Sequence, residues 1–426
     1  MDDYIKEGLK NNESVKQQEF LLDKNIYALQ EARSLFFPAV GFNAAYYRAD
    51  GGRTVNLPIG DLLNPVYSTL NQLTGSNHFP SVQNQSILFN PDNFYDAKFQ
   101  ATLPIINAEI FYNRKIRSQQ VSLQQIEIDI YKRELVLQIK TSYYQYSQAA
   151  AAVKIYENAL TLVKESERIN NALYRNQKIN RTALIRSTNE SNKAQASLIA
   201  AQQSQKNALA YFNFLLNKPL DAFVTVDTSL AISQLIFVAD TNNILKREEL
   251  KKLNTASDIA ATSIKLSHSY LIPKFSTFLD LGSQGFDWKY NSGTQYYFFG
   301  VTMDWALFAS GRNIYKTKQA RADLDILKSQ TNYTEERLQL QLSTNINSYA
   351  ASLNNYKAAR SQLVSAEKYY NDMLKSYSEG QALYIELLDA EDQYINSQLQ
   401  VNITFYDLQI KQAEVERANA GFNLNN

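Results

Sequence analysis

From Leu342 onward, apolar residues recur at steps of four and three: Leu342, Ile346, Tyr349, Leu353, Tyr356, Leu363, Tyr370, Leu374 and Tyr377. That spacing is the stripe one helix of a coiled coil presents to its neighbour. The first half carries a comparable seam at Ile139, Tyr143, Tyr146, Ala150, Val153 and Leu160. Residues 105 to 218 contain neither proline nor glycine and are rich in Ala, Gln, Leu, Lys and Glu, so they predict long helix. In the second half the only glycine between Gly311 and Gly421 is Gly380. Its backbone can enter the left-handed region that ends a helix, which predicts a helical hairpin with its second arm from near Leu383 to about Ala420.

Elsewhere the period drops to two. Residues 4 to 36 predict one polar helix stopping before Pro38; then Val40, Phe42, Ala44 and Tyr46 alternate with Gly41, Asn43, Ala45 and Tyr47. Residues 49 to 93 hold much of the chain's Gly, Pro, Asn and Ser and predict a long loop. Tyr95, Ala97, Phe99, Ala101 and Leu103 then alternate with Asp96, Lys98, Gln100 and Thr102. The second half follows the same plan. A helix over 240–270 leads to Phe275, Thr277, Leu279 and Leu281 in alternation with Ser276, Phe278, Asp280 and Gly282. After a short loop, Tyr297, Phe299, Val301, Met303 and Trp305 alternate with Phe298, Gly300, Thr302 and Asp304.

The two halves therefore read as structural repeats. Tyr174 and Tyr377 lie 203 residues apart, as do Leu184 and Leu387. The expected organisation is a first repeat over 1–216, with a β-hairpin at about 39–48 and 94–104 and a helical tip near 176–182. A linker over 217–238, broken by Pro219 and carrying short β-prone runs, precedes a second repeat over 239–426. That repeat has its β-hairpin at about 274–282 and 295–305 and its tip near 379–384.

Composition narrows the function mainly by exclusion. The 43 basic and 42 acidic side chains give no net field that would point to nucleic acid. In the chain as given, the absence of cysteine excludes disulfides, thiolate metal sites and a lipidated N-terminal cysteine. No run of eighteen apolar residues predicts a transmembrane helix. Met1-Asp-Asp-Tyr is not a signal peptide, so export would need a targeting segment outside these residues. The two histidines, His78 and His268, have no spaced partners, and Gly51-Gly52 lacks the strand-to-helix setting of a phosphate loop. No catalytic, cofactor-binding or metal residue is expected, and no enzyme.

The second tip, Tyr377 to Gln400, resembles the TolC-like outer membrane efflux proteins. The residues that carry the likeness are Tyr377, Gly380, Glu386, Leu387, Leu388, Asp389 and Ala390, with Tyr174 at the corresponding place in the first tip. The resemblance implies an α+β membrane protein, mainly α, built as a homotrimer. Each chain would give four strands to a shared twelve-stranded β-barrel and long coiled-coil hairpins to an α-helical barrel. It further implies residence in the outer membrane of a Gram-negative bacterium, extension into the periplasm, and partnership with a periplasmic adaptor (membrane fusion protein) and an inner-membrane pump of the RND or ABC type. On the same basis Glu386 and Asp389 would line the periplasmic entrance constriction. Their spacing of three puts both carboxylates on one helix face, which also suits an ordinary solvated helix start. The first tip departs from the second, with Ala183 and Arg186 in place of Glu386 and Asp389. Tip locks would draw on other residues, with Arg181, Arg186 and Tyr377 as candidates.

Each alternating segment is about ten residues, enough for a tilted strand to cross a bilayer. Two hairpins leave open edges whose unpaired backbone groups cost several kcal/mol each in lipid, so one chain cannot be the inserted unit. The expected lipid-facing residues are Phe99, Leu103, Phe299, Val301 and Met303, with changes at Lys98 or Thr302 mild. Tyr95, Tyr296, Tyr297 and Trp305 stand at strand ends as an interfacial girdle would place them. Three readings stay open from the residues: the exit duct of a tripartite efflux pump for small molecules, the exit duct of a type I protein secretion system, or a soluble coiled-coil adaptor or scaffold.

Overall fold

The structure is a computed structural model that describes residues 1–90, 92–226, 241–422 and 424. The chain opens with α1 (Asp2–Asn11) and α2 (Glu13–Ser34) and then forms β1 (Ala39–Tyr47). An excursion of β2 (Thr54–Leu57), α3 (Ile59–Thr74) and β3 (Gln85–Leu88) precedes β4 (Phe94–Ile106). The first helical hairpin is α4 (Ala108–Arg175) and α5 (Arg181–Leu215). After a 3-10 turn at Thr241–Lys246 come α6 (Glu248–Ser267), β5 (Lys274–Phe286) and β6 (Gln295–Asp304). The second hairpin is α7 (Arg312–Ser378) and α8 (Tyr384–Ala418).

These elements form two compact units, each drawing on both halves of the chain. One comprises Met1–Ala28, Ile116–Thr262 and Gln319–Asn426; the other comprises Leu29–Lys115 and Ser263–Lys318. In the helical unit the expected seams are the core. Ile139, Tyr143, Tyr146, Val153 and Leu160 are buried on α4, and Leu342, Tyr349, Tyr370 and Tyr377 on α7. Ile346, Leu353 and Tyr356 pack beside them.

The expected single helix over 4–36 is instead two, because Asn12 leaves the helical conformation with ψ 125°. Its Oδ1 accepts the amides of Ser14 at 2.9 Å and Val15 at 3.3 Å, which caps α2, and its Nδ2 donates to the Leu215 carbonyl at 2.9 Å. One side chain thus starts α2 and satisfies a carbonyl at the end of α5. Residues 217–226 form a turn that seats Val224 and Val226 on the α4–α5 core, and the rest of the expected linker, residues 227–238, lies outside the described residues.

A charged knot ties the start of α6 to the end of α8. Arg247, only 2% exposed, donates to both oxygens of Glu249 at 3.1 and 2.6 Å, to Gln341 at 3.2 Å and to the Ala418 carbonyl at 3.3 Å. Arg417 donates to Glu249 at 2.7 Å. Arg133 on α4 reaches Glu248 at 3.0 Å and the Phe422 carbonyl at 2.6 Å. Burial pushes the Glu249 carboxyl up, but the two guanidinium groups outweigh it and hold the carboxyl at about 2.

In the second unit, β1, β4, β5 and β6 form one antiparallel sheet in that order, so the two expected strand pairs are joined through β4 and β5. Residues 49–93 are not the structureless loop expected. Asn64 pairs through both side-chain atoms with Val82 at 2.9 and 2.8 Å, and Asn71 does the same with Phe79 at 2.8 and 3.1 Å. These amides hold the return segment against α3 as a strand partner would, and Pro65 is tolerated inside that helix. Of the prolines and glycines that suggested a loop, Pro58 and Gly75 flank α3, and Gly60 and Pro65 lie within it.

Glu249→Gln should destabilise the helical unit by about 3 kcal/mol, because it strands two buried arginines. Thermal melting in detergent would read this. Since the Glu249 carboxyl is depressed from 4.5 to about 2, its contribution is present above the ordinary value and should fade as pH falls between those two values.

Candidate functional site

Two features bear on function, one in each unit. In the helical unit both hairpins close with the same pair of bonds. At the first tip the Gln177 amide donates to Tyr174 at 2.9 Å and the Lys178 amide to Leu173 at 2.9 Å. At the second, Gly380 donates to Tyr377 at 3.0 Å and Gln381 to Ser376 at 2.8 Å. The residue at the bend is left-handed in each, Gln177 with φ 58° and Gly380 with φ 77°. Gly380 takes this conformation without the steric cost that Gln177 bears. Asn180 then caps α5 by accepting the Ala183 amide at 3.1 Å.

The tyrosines of the two turns have different surroundings. Tyr174 is exposed. Tyr377 is buried, packs on Tyr384 with centroids 5.8 Å apart, and donates a short hydrogen bond to Asn170 of α4. Burial raises its phenol pKa. Next to it Tyr370 and Tyr394 stack at 5.4 Å with planes 6° apart, and burial together with Glu391 pushes the Tyr370 phenol up to about 12. Tyr370, Tyr377, Tyr384, Leu387 and Ala390 form one core cluster with Leu162, Ile169 and Leu173 of α4.

Glu386 and Asp389 lie on the exposed side of the first two turns of α8. Glu386 reaches back to accept the Leu383 amide at 2.7 Å, and Asp389 accepts from Gln393 at 2.7 Å. Glu386 therefore serves as a helix-start acid in the single chain, and both carboxylates face away from the core. Arg181 and Arg186 are exposed as well.

Three residues at the tip escaped the sequence reading: Ser166, Asn170 and Glu391. Ser166 of α4 donates a short hydrogen bond to Glu391 of α8, and Glu391 is 1% exposed. Burial pushes that carboxyl up to about 7; the Ser166 hydroxyl opposes the rise, and Asp392 and Glu190 add to it. A signal for it was present. Tyr384, Leu387, Glu391 and Tyr394 follow one another at steps of three, four and three, so an acid stands on an apolar seam.

In the sheet unit the register sorts the two faces. Phe42 opposes Phe99, Phe99 opposes Leu281, Phe299 opposes Leu279, and Leu103 and Val301 both oppose Thr277. Met303 opposes Phe275. Phe99, Leu103, Phe299, Val301 and Met303 thus share one face, and all but Leu103 are more than half exposed. The other face is mixed, with charged and polar side chains beside aromatic ones such as Phe278 and Phe298. Lys98 pairs with Asp280 at 2.7 Å, and the Tyr296 hydroxyl donates to Asp96 at 2.9 Å. A Cβ on Gly282 would come within 2.8 Å of Lys98 Cβ, so a larger residue would press on the side chain that makes this pair. Tyr296 therefore does not join the expected girdle; the mixed face claims it. Tyr95 stays on the apolar face but is buried, with Trp288 stacked on it at 5.3 Å. Tyr297 and Trp305 are well exposed.

The expectation that change at Lys98 is mild does not survive this geometry. Asp280 is 3% exposed and its second oxygen already lacks a partner, so Lys98→Ala would leave a buried carboxylate alone. Lys98→Ala should cost about 2 kcal/mol more than Thr302→Ala. The heat needed to unfold each variant on a gel would measure it.

Among the described residues no three His, Cys, Asp or Glu side chains are placed to hold a metal ion, and no helix is long and apolar enough to cross a membrane.

Residues 243–421 match the family described as outer membrane efflux protein. The fold matches the outer membrane protein VceC of Vibrio cholerae at 14% identity, over 98% of this chain and 95% of that one, with a TM-score of 0.78. It also matches the outer-membrane channel OprN at 16% identity, over 99% and 90%, with a TM-score of 0.79. The CmeC outer membrane channel of Campylobacter jejuni matches at 13% identity, over 99% and 85%, with a TM-score of 0.77. No curated protein matches the sequence. Residues 243–421 thus match the outer membrane efflux protein family by sequence, and along its whole length the chain has the fold of the outer membrane channel structures it matches.

Proposed function

We propose that the chain is one third of an outer membrane channel, the exit duct through which a tripartite efflux pump releases small molecules. The observation that carries this reading is the four-stranded sheet with an apolar, exposed face, two free edges, and an opposite face on which Asp96, Lys98 and Asp280 stand among aromatic residues. Among the described residues β1 pairs only with β4, and β6 only with β5. An apolar outer face suits lipid, and an inner face carrying charged side chains suits a water-filled pore. Open edges do not suit lipid, and the remedy is to pair β6 of one copy with β1 of the next. That contact joins two different surfaces, so it is heterologous and builds a ring. A twelve-stranded barrel, as the family resemblance implies, would take three such copies.

The helical unit supports assembly independently. Ile326, Tyr333 and Leu340 stand seven residues apart on α7 and are exposed in the single chain, as are Phe20 and Tyr27 on α2. Unpartnered apolar seams at heptad spacing fit neighbouring copies in a helical barrel. A soluble scaffold would explain such seams but not the apolar face of the sheet. In this reading an inner-membrane pump and a periplasmic adaptor deliver the substrate, and the tip residues Tyr174, Tyr377 and Gly380 stand at the periplasmic mouth.

Detergent-extracted protein should have the mass of three chains; a monodisperse, water-soluble monomer would sink the proposal. Val301→Arg on the apolar face should cost roughly 2–4 kcal/mol per chain near the bilayer midplane and lower assembly yield, while Thr302→Arg should be tolerated better. The reverse order would invert the faces.

Glu386 and Asp389 are proposed as the charge-selective element of that mouth. Three copies of an exposed acidic pair, held within a Debye length of about 8 Å, concentrate cations and repel anions. The double variant Glu386→Gln with Asp389→Asn removes the charge and keeps the size of both side chains. It should weaken cation preference and divalent-cation block in planar-bilayer recordings. Unchanged selectivity would leave both acids as the solvated start of α8.

A further inference from the structure

Glu391 lies deep in the contact between the two hairpins. Its Oε1 accepts the Ser166 hydroxyl from α4, and its Oε2 is buried with no partner among the described residues. The charged groups around it are mostly of its own sign. Asp392 on α8 and Glu190 on α5 both act against ionisation of Glu391, and Tyr370 on α7 and Tyr384 on α8 feel its charge in turn. On α4, Glu165 acts on Tyr370. The nearby cations are engaged elsewhere: Lys193 pairs with Glu190 at 3.4 Å, and Lys193 and Arg186 act on Asp392. A neutral carboxyl fits this site; a carboxylate would be buried with one oxygen unpaired and like charges beside it.

We propose that Glu391 is a proton-operated latch between the hairpins: protonated, it sits neutral in the α8 seam with Ser166 bonded to it; ionised, it leaves the seam and the tip of α8 loosens from α4. The latch rests on the packing alone; that it would act on the mouth of a channel rests on the function proposed above. The direction follows from linkage. The packed tip prefers the protonated carboxyl, so packing is firmest below the ordinary carboxyl value of 4.5 and weakens as pH rises toward about 7, beyond which the effect levels off. The adjacent Asp392, whose pKa burial also raises, acts in the same sense.

Hydrogen exchange at the tip of the intact assembled protein tests this, comparing wild type with Glu391→Gln at matched pH so that the intrinsic chemistry cancels. At about pH 5 the two should nearly coincide. At about pH 8 amides flanking Ser166 and Glu391 should exchange faster in wild type, on the order of tens of fold relative to the variant. Ser166→Ala, which keeps the carboxyl, should loosen the tip at both pH values and retain the pH dependence. Equal exchange in wild type and Glu391→Gln at both pH values would overturn the latch, as would a pH response that survives in Glu391→Gln. Planar-bilayer recordings separate the two readings: a pH-dependent tip in a protein that never conducts would overturn the duct and leave the latch standing.

Discussion

Among the described residues β4 and β5 have a strand on each side while β1 and β6 each have one on a single side, and this is the constraint from which the rest follows. A free edge can be tolerated in water, where solvent completes the hydrogen bonds. The face chemistry argues against water as the surroundings here, since Phe99, Phe299, Val301 and Met303 stand exposed together on one side. A sheet that turns an apolar face outward and leaves both edges open is an incomplete object. In the proposed channel, pairing with further copies would satisfy the backbone of those edges in lipid.

The helical unit solves a different problem. Helices of 68 and 67 residues have little intrinsic reason to stay in register with their neighbours, because an aliphatic seam permits sliding by a heptad. Buried polar pairs remove that freedom. Ser352 donates to Asp407 at 2.6 Å, Asn402 to the Gln148 carbonyl at 2.9 Å, and Tyr377 and Ser166 reach Asn170 and Glu391 near the tips. Each pair is satisfied in one register only. At the other end of α8 the Arg247–Glu249–Arg417 knot fixes the start of α6 in the same way.

The tips combine both kinds of constraint. Their turns are set by local backbone geometry and are closed by the same two bonds, but their environments are not equivalent, since Tyr377 is buried against α4 and Tyr174 is exposed. The asymmetry comes from residues that differ between the halves, among them Asn170 opposite Tyr377 and Glu391 within the α8 seam. A pair of hairpins with identical tips would have no preferred partner; this pair has one.

Periodicity and punctuation determined most of the architecture. Steps of three and four, the absence of Pro and Gly over residues 105–218, and strict alternation around Phe99 and Phe299 fixed the helices, the strands and their apolar faces, because those signals are local and each residue carries its own share. The left-handed bend at Gly380 was legible for the same reason. Tertiary structure alone decided what depends on distant partners. Asn12 breaks the first helix because the Leu215 carbonyl is there to be satisfied, and residues 49–93 fold because Asn64 and Asn71 find Val82 and Phe79. Tyr296 finds its hydrogen-bond partner in Asp96 across the sheet, and Lys98 matters because Asp280 is buried beside it. Glu391 marks the limit of the pattern itself: its spacing put it on the seam, while its unpaired oxygen and its acidic neighbours exist only once four helices have come together.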